Sequence, residues 1–211
     1  MTRAAERERA IRETVEKRGV SDTRVLDAMR TVERELFVPP EFRAAAYEDR
    51  PLPIGAGQTI SQPYIVAFMA EALQLKGGEK VLEVGAGSGY AAAVLSRLAE
   101  KVFTVERIGE LAKMAKENLR SAGIENVEVR HDDGSRGWPE AAPFDAILVS
   151  AGAEEVPKAL LDQLAIGGRL VVPVNEDGSE QELVRITRES RIEFRQESLA
   201  DVRFVPLIVG R

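Results

Sequence analysis

The sequence predicts an α/β fold: a doubly wound, mostly parallel seven-stranded sheet with a C-terminal antiparallel hairpin and an N-terminal helical extension. Three observations predict it. Between residues 80 and 174, short β-prone runs alternate with helix-forming segments, the pattern of right-handed βαβ units with helices on both faces of a sheet. The first run, Val81-Leu82-Glu83-Val84, opens into Gly85-Ala86-Gly87-Ser88-Gly89 and then an alanine-rich segment over 91–98, which reads as strand, tight turn and helix start. After residue 180 two β-prone runs follow each other with no helix between, as a terminal antiparallel hairpin requires.

Taken in order, residues 3–18 are rich in Glu and Arg, with Ile11 and Val15 four apart, and predict a surface helix with a narrow apolar stripe. Gly19 suits its C-terminal cap, and Ser21 or Asp22 can cap a second helix over 23–33 that buries Val25, Leu26, Met29 and Val32. Residues 36–63 carry too many prolines for regular helix and read as an ordered functional loop, because Leu36, Phe37, Val38, Leu52, Ile54 and Ile60 supply apolar anchors. A strongly apolar helix follows over 64–73. Strands are expected at 80–84, 102–106, 127–130, 144–149 and 169–174, with helices to about 98, over 110–121 and over 157–164. The tail predicts strands over 182–187 and 191–197, joined at Glu189-Ser190, and a further β-prone run over 202–209. No repeat, low-complexity segment or long linker divides the 211 residues.

Composition narrows the function classes. Hydrophobic residues at 44% and charged residues at 30% describe an ordinary globular chain. A net charge of −6 argues against a protein built to grip nucleic acid. With no cysteine and one histidine, His131, the chain has no thiolate or His-cluster metal site and no cysteine nucleophile, so no metal is expected. The charged start, 1–9, is unlike a secretory leader, and no apolar run approaches the roughly 20 residues of a spanning helix, so a soluble, cytoplasmic protein with no membrane association is expected.

Three acidic positions fall at the C-terminal ends of successive strands, where open α/β sheets bind ligands: Glu83, Glu106 and Asp133, the last followed by Gly134. An acid ending the second strand can accept from both hydroxyls of a ribose, and a group after the third can reach an adenine amine. Gly85, Gly87 and Gly89 depart from the Gly-x-Gly-x-x-Gly of dinucleotide sites, and Glu83 would repel a pyrophosphate but suit an ammonium. Together they describe a pocket for an adenosine with an amino-acid tail. This spacing, with its resemblance to class I methyltransferases of Rossmann-like fold, favours S-adenosyl-L-methionine over NAD. Each acid has a plainer reading, as a solvated strand end or, at Asp133-Gly134, as turn chemistry.

The stretches 57–63 (Gly-Gln-Thr-Ile-Ser-Gln-Pro), 81–89, Asp133-Gly134, 142–147, 167–170 and 202–207 (Val-Arg-Phe-Val-Pro-Leu) occur in the order found in the protein-L-isoaspartate O-methyltransferase family, and the chain resembles that family from about residue 20 onward. The resemblance implies a repair enzyme that moves a methyl group from S-adenosyl-L-methionine, leaving S-adenosyl-L-homocysteine, to the free α-carboxylate of L-isoaspartyl residues in damaged proteins and peptides. It implies one methyltransferase domain over 1–211, with helices and a covering loop in 1–60 and a cofactor-binding core in 61–211. A monomer is expected, on which the resemblance itself is silent. The resemblance places Ser61 as the active-site serine, Gln58, Thr59 and Ile60 beside the cofactor with Glu83, Gly85, Gly87, Gly89, Glu106, Asp133 and Gly134, and Tyr64, Val205, Pro206 and Leu207 with Ser61 at the substrate. Tyr64 stands where some members carry histidine. From the residues alone Ser61 is better suited to cap the helix after it. Trp138 reads either as a flank for adenine or as loop packing, and His131 as an incidental strand-end residue. The alternative is a related methyltransferase acting on a small molecule or RNA; in place of an amine-methylating motif after the fourth strand stands Ser150-Ala151-Gly152-Ala153.

Overall fold

The computed structural model describes residues 2–175 and 180–210. Thr2 accepts the Ala5 N–H at 3.2 Å and starts helix α1 (Arg3–Ala10). The chain winds on through a π segment (Ile11–Val15) and a 3-10 turn (Glu16–Arg18), so the expected helix is present with changing hydrogen-bond spacing. Ile11 and Val15 are its buried stripe, and Gly19, left-handed at φ 102°, ends it. Asp22 caps α2 (Thr23–Thr31) by accepting the Arg24 N–H at 2.8 Å, and Val25, Leu26, Met29 and Val32 are buried as their spacing implies.

Residues 36–63 contain more structure than their prolines predict. The segments Arg34–Phe37 and Pro40–Ala45 are 3-10 turns, and β1 (Leu52–Gly55) pairs antiparallel with β2 (Gln58–Ile60). The pairing buries Leu52, Ile54 and Ile60. Pro53 is tolerated because a two-stranded ribbon leaves each strand an open edge. Pro63 then occupies the first turn of α3 (Pro63–Ala72), where its missing N–H costs nothing.

The sheet follows: β3 (Lys80–Val84), α4 (Tyr90–Leu95), β4 (Lys101–Glu106), α5 (Gly109–Ser121), β5 (Val127–His131), β6 (Phe144–Val149), α6 (Lys158–Gln163), β7 (Leu164–Val174), β8 (Gln181–Arg188) and β9 (Phe194–Val202). Its spatial order is β5-β4-β3-β6-β7-β8-β9, parallel from β5 to β7 and antiparallel from β7 to β9. The expected seven-stranded, mostly parallel sheet is therefore present. One face, with Val81, Ala146, Leu148 and Val171, packs on the N-terminal helices, α3, α4 and α5. The other, with Leu82, Phe144, Ile147 and Val172, packs on Trp138 and Leu160. Such double cover explains why β3 and β6 read as nearly continuous apolar runs. The chain leaves β3 towards β4 on one side and returns as β6 on the other, so the glycine turn after β3 lies at the point where the strand order reverses, the usual ligand crevice of open α/β sheets.

The tail differs from expectation in two ways. The last strand runs over Phe194–Val202 rather than 191–197, because Ser190 Oγ accepts the N–H groups of Ile192 and Glu193 and widens the turn. The run expected over 202–209 is not a strand. Apart from a bridge between Pro206 and Gly152 it crosses the C-terminal ends of the central strands as an irregular strap.

Candidate active site

The glycine turn is held from the neighbouring strand. The N–H groups of Gly85 and Ala86 donate to Val105 O at 2.8 and 3.3 Å, and Gly85, Gly87 and Gly89 adopt φ values of 93°, 53° and 90°, a region L side chains avoid. Glu106, at the end of β4, accepts the Gly87 N–H on Oε2 at 2.8 Å and the Ile108 N–H on Oε1 at 2.9 Å. One carboxylate thus joins the turn to the start of α5 and keeps lone pairs for a ligand.

Glu83 is fully buried. Its Oε2 accepts the Thr104 hydroxyl at 2.5 Å, and Oε1 has no hydrogen-bond partner. Burial pushes its carboxyl up to about 8; the Thr104 hydroxyl opposes this and nearby Glu106 adds to it. Asp133 behaves oppositely. Burial would raise it, but hydrogen bonds from the Ser135 hydroxyl (2.7 Å), the Ser135 N–H (3.0 Å) and the Gly210 N–H (3.0 Å), with the charge of Arg136, hold it below the usual carboxylate range.

Two adjoining spaces open at this end of the sheet. A slot of about 100 Å³ lies over the glycine turn, lined by Gly85, Gly87, Glu106, Ile108, Gly134 and the strap residues Val205 to Ile208, among others. A wider cleft of about 990 Å³ runs past Arg18, Ser61, Gln62, Asp201 and Arg203. Thr59, Ser150 and Val205 line both, so the two spaces meet there.

Around Ser61 the loop is tied from behind. Its carbonyl accepts from Arg34 Nη2 at 2.9 Å. The cap position of α3 belongs to Gln62, with no side-chain cap bond, and Asp49 Oδ1 accepts the Tyr64 N–H at 3.3 Å instead. Ser61 is therefore not the cap. Asp49 also accepts from Gln62 Nε2 at 2.7 Å and from Arg18 at 2.8 Å, and the Arg18 guanidinium lies 3.5 Å from the centre of the Tyr64 ring, which stacks on Phe68.

The structure brings Gln58, Thr59, Gly85, Gly87, Glu106, Gly134, Val205, Pro206 and Leu207 to the slot, and Ser61 to the cleft. Pro206 and Leu207, expected at the substrate, lie on the slot side. Ile60 is buried in the β1–β2 hairpin, and Gly89 starts α4; neither lines either space. Glu83 and Asp133 stand behind the slot wall, and Tyr64 sits beneath Arg18 rather than on the cleft surface. Trp138 packs edge-on against Phe103 at 5.0 Å in the second core, and His131 is exposed with its ring bonded to Arg107 O. Sequence reasoning missed Arg34, Arg107, Ser150 and the apolar slot residues Val84, Val105, Ile108 and Leu111. The last two follow the acid of β4 at helical spacing, a signal that was available.

These residues fit an adenosyl group with an amino-acid tail. The turn lacks Cβ atoms where a ligand backbone must approach, Glu106 can accept from hydroxyls, and Glu83 Oε1 is an unmatched acceptor two residues before the turn. A slot of 100 Å³ is smaller than the roughly 300–1,000 Å³ of small-molecule sites. Its outer wall is the strap, held by Gly152 to Val205 and Leu207, by Arg107 to the carbonyls of Ile208 and Gly210, and by Gly210 to Asp133.

Comparison with known proteins agrees with this geometry. A family model described as protein-L-isoaspartate(D-aspartate) O-methyltransferase matches residues 5–211. Protein-L-isoaspartate O-methyltransferase 1 of Rhodopseudomonas palustris is 62% identical over 205 residues, 97% of this chain and 84% of the relative. The Methylorubrum populi protein-L-isoaspartate O-methyltransferase is 56% identical over 210 residues, covering 100% of this chain and 98% of its own. Among solved structures, one described as a Plasmodium falciparum protein-L-isoaspartate O-methyltransferase in complex with S-adenosyl-L-homocysteine superposes with a TM-score of 0.83 at 29% identity, over 96% of this chain and 98% of that one. The chain belongs to the protein-L-isoaspartate (D-aspartate) O-methyltransferase family.

Proposed function

We propose that this chain repairs ageing proteins by methylating the free α-carboxylate of L-isoaspartyl residues. The observation that carries the reading is the meeting of slot and cleft at Thr59, Ser150 and Val205, with Ser61 on the cleft side of the junction. When bound, S-adenosyl-L-methionine supplies an electrophilic methyl group on a sulfonium, and S-adenosyl-L-homocysteine is what remains. The ester then closes to a succinimide without the enzyme, and hydrolysis returns some normal aspartate.

A carboxylate is already ionised at neutral pH, so the protein needs no strong general base, in keeping with a chain whose one histidine lies outside the junction. Its task is orientation, which can lower a barrier by up to roughly 7–11 kcal/mol. The Ser61 hydroxyl donates to the substrate carboxylate and aims its attacking oxygen; the backbone around Val205 meets the rest of an extended peptide. Glu106 accepts from the ribose, the glycine turn faces the amino-acid tail with Glu83 buried behind it, and the strap over the slot limits water. Gln58 and Thr59 close the slot from the β2 side. The chain acts as one methyltransferase domain, with 1–60 covering the core in 61–211, as a monomer in the cytoplasm. No helix among the described residues is long and apolar enough to cross a membrane.

Ser61→Ala tests the role of the hydroxyl: turnover falls at least about tenfold, as loss of one hydrogen bond to a charged group implies, with cofactor affinity by calorimetry little changed. An unaltered rate would remove Ser61 from the chemistry.

A further inference from the structure

Arg34 is a charged side chain that is only 1% exposed. Burial pulls its pKa below the ordinary arginine value, yet a guanidinium keeps its proton in proteins. A buried cation is normally matched by a carboxylate. Here every hydrogen-bond partner is a backbone carbonyl: Ala46, Arg50 at 3.4 Å and Ser61 at 2.9 Å. The flat fork of the side chain can reach three carbonyls at once, so it gathers three separate points of the segment between α2 and α3. On its other side lies the ring of Tyr90, 5.6 Å away, the first residue of the helix that follows the glycine turn. Arg34 therefore stands between the Ser61 loop and the helix of the slot, with a positive charge one peptide unit behind the cleft wall.

We propose that Arg34 is a positioning residue for the substrate carboxylate, fixing the Ser61 main chain and lending the cleft at Ser61 a positive potential that an anionic substrate completes. The inference rests on the isoaspartyl activity proposed above. It accounts for a cation kept at full burial with carbonyls rather than a carboxylate bonded to it: Asp49, the carboxylate whose charge it feels, is itself engaged by Gln62, Arg18 and the Tyr64 N–H, and the substrate carboxylate adds an anion on the Ser61 side. It also accounts for the side chain's form, because lysine would carry the charge without the fork.

The test compares wild type, Arg34→Met and Arg34→Lys with one isoaspartyl peptide, measuring peptide KM, kcat, cofactor Kd by calorimetry and Tm. Arg34→Met raises peptide KM about tenfold or more, the loss of one charge interaction, while cofactor Kd stays within about twofold. Arg34→Lys raises peptide KM by a smaller factor and lowers kcat, since charge remains and the fork is lost. Should Arg34→Met fail to fold, the lysine variant decides alone. Peptide KM and kcat unchanged in Arg34→Lys, or peptide and cofactor binding weakened in parallel, would overturn the proposal while the wild type stays active. An inactive wild type would overturn the isoaspartyl reading and this inference with it.

Discussion

Glu83 lies opposite Thr104 on β4, two residues before Glu106, and the two buried carboxylates are held differently. Glu106 uses each oxygen to hold a backbone N–H, so Glu106→Ala costs on two fronts. Lost hydrogen bonds to a charged acceptor are worth about 1.5–3 kcal/mol, so calorimetry should show cofactor affinity at least about tenfold weaker, together with a lower Tm; an unchanged Kd would remove Glu106 from the ribose. Glu83 supplies a pH test. Its carboxyl stands at about 8 in the folded chain against an ordinary 4.5, so between those values the native state binds more protons than the unfolded one. Stability then falls as pH rises through that window and is fully reduced above it. Glu83→Gln keeps an oxygen for the Thr104 hydroxyl and removes this titration, so its Tm relative to wild type should rise from pH 5 to pH 8.5. Parallel Tm curves for the two proteins would show Glu83 ionised throughout. At this scale the sequence was informative where function is local. The acid ending a strand, the alternate glycines and the serine before a proline all stand in their motifs. Arg34 was not legible, because its three carbonyl partners come together only when the loop folds.

At the scale of elements, the strap over 203–210 and the β1–β2 hairpin close the site from two sides. Both were misjudged in outline from the sequence. The prolines at 53 and 206 mark positions that cannot donate to a central ladder, but a two-stranded ribbon and an irregular crossing each accept them. The strap's distal end depends on Arg107, which donates to the carbonyls of Ile208 and Gly210, and on Asp133, which receives the Gly210 N–H. Arg107→Met should loosen that end without touching the core, speeding both association and dissociation of cofactor in stopped-flow experiments with little change in Tm. Rates equal to wild type would mean that the ligand enters elsewhere. The turn between β3 and α4 makes the opposite demand. At Gly89, φ is 90° and an added Cβ would lie 3.3 Å from the backbone of Ala115 in α5. Gly89→Ala should therefore cost about 1–3 kcal/mol, read as a lower denaturant midpoint; a midpoint equal to wild type would show that α4 and α5 can part without loss.

At the scale of the whole molecule, the alternation of strands and helices made the doubly wound sheet legible. Helices on both faces joined by right-handed βαβ units imply that the strand order reverses somewhere in the sheet; that it does so at β3 is seen only in the fold. What the sequence could not show is that the slot and the cleft share Thr59, Ser150 and Val205, residues far apart in the chain that meet only at the C-terminal edge of the folded sheet. In the proposed function that junction joins a ligand pocket and a peptide cleft into one reaction site. Its direct test is methyl transfer from labelled S-adenosyl-L-methionine to two peptides of the same sequence, one with an L-isoaspartyl residue and one with normal aspartate. Labelling of the isoaspartyl peptide alone is the predicted result; equal labelling of both, or of neither, would contradict it.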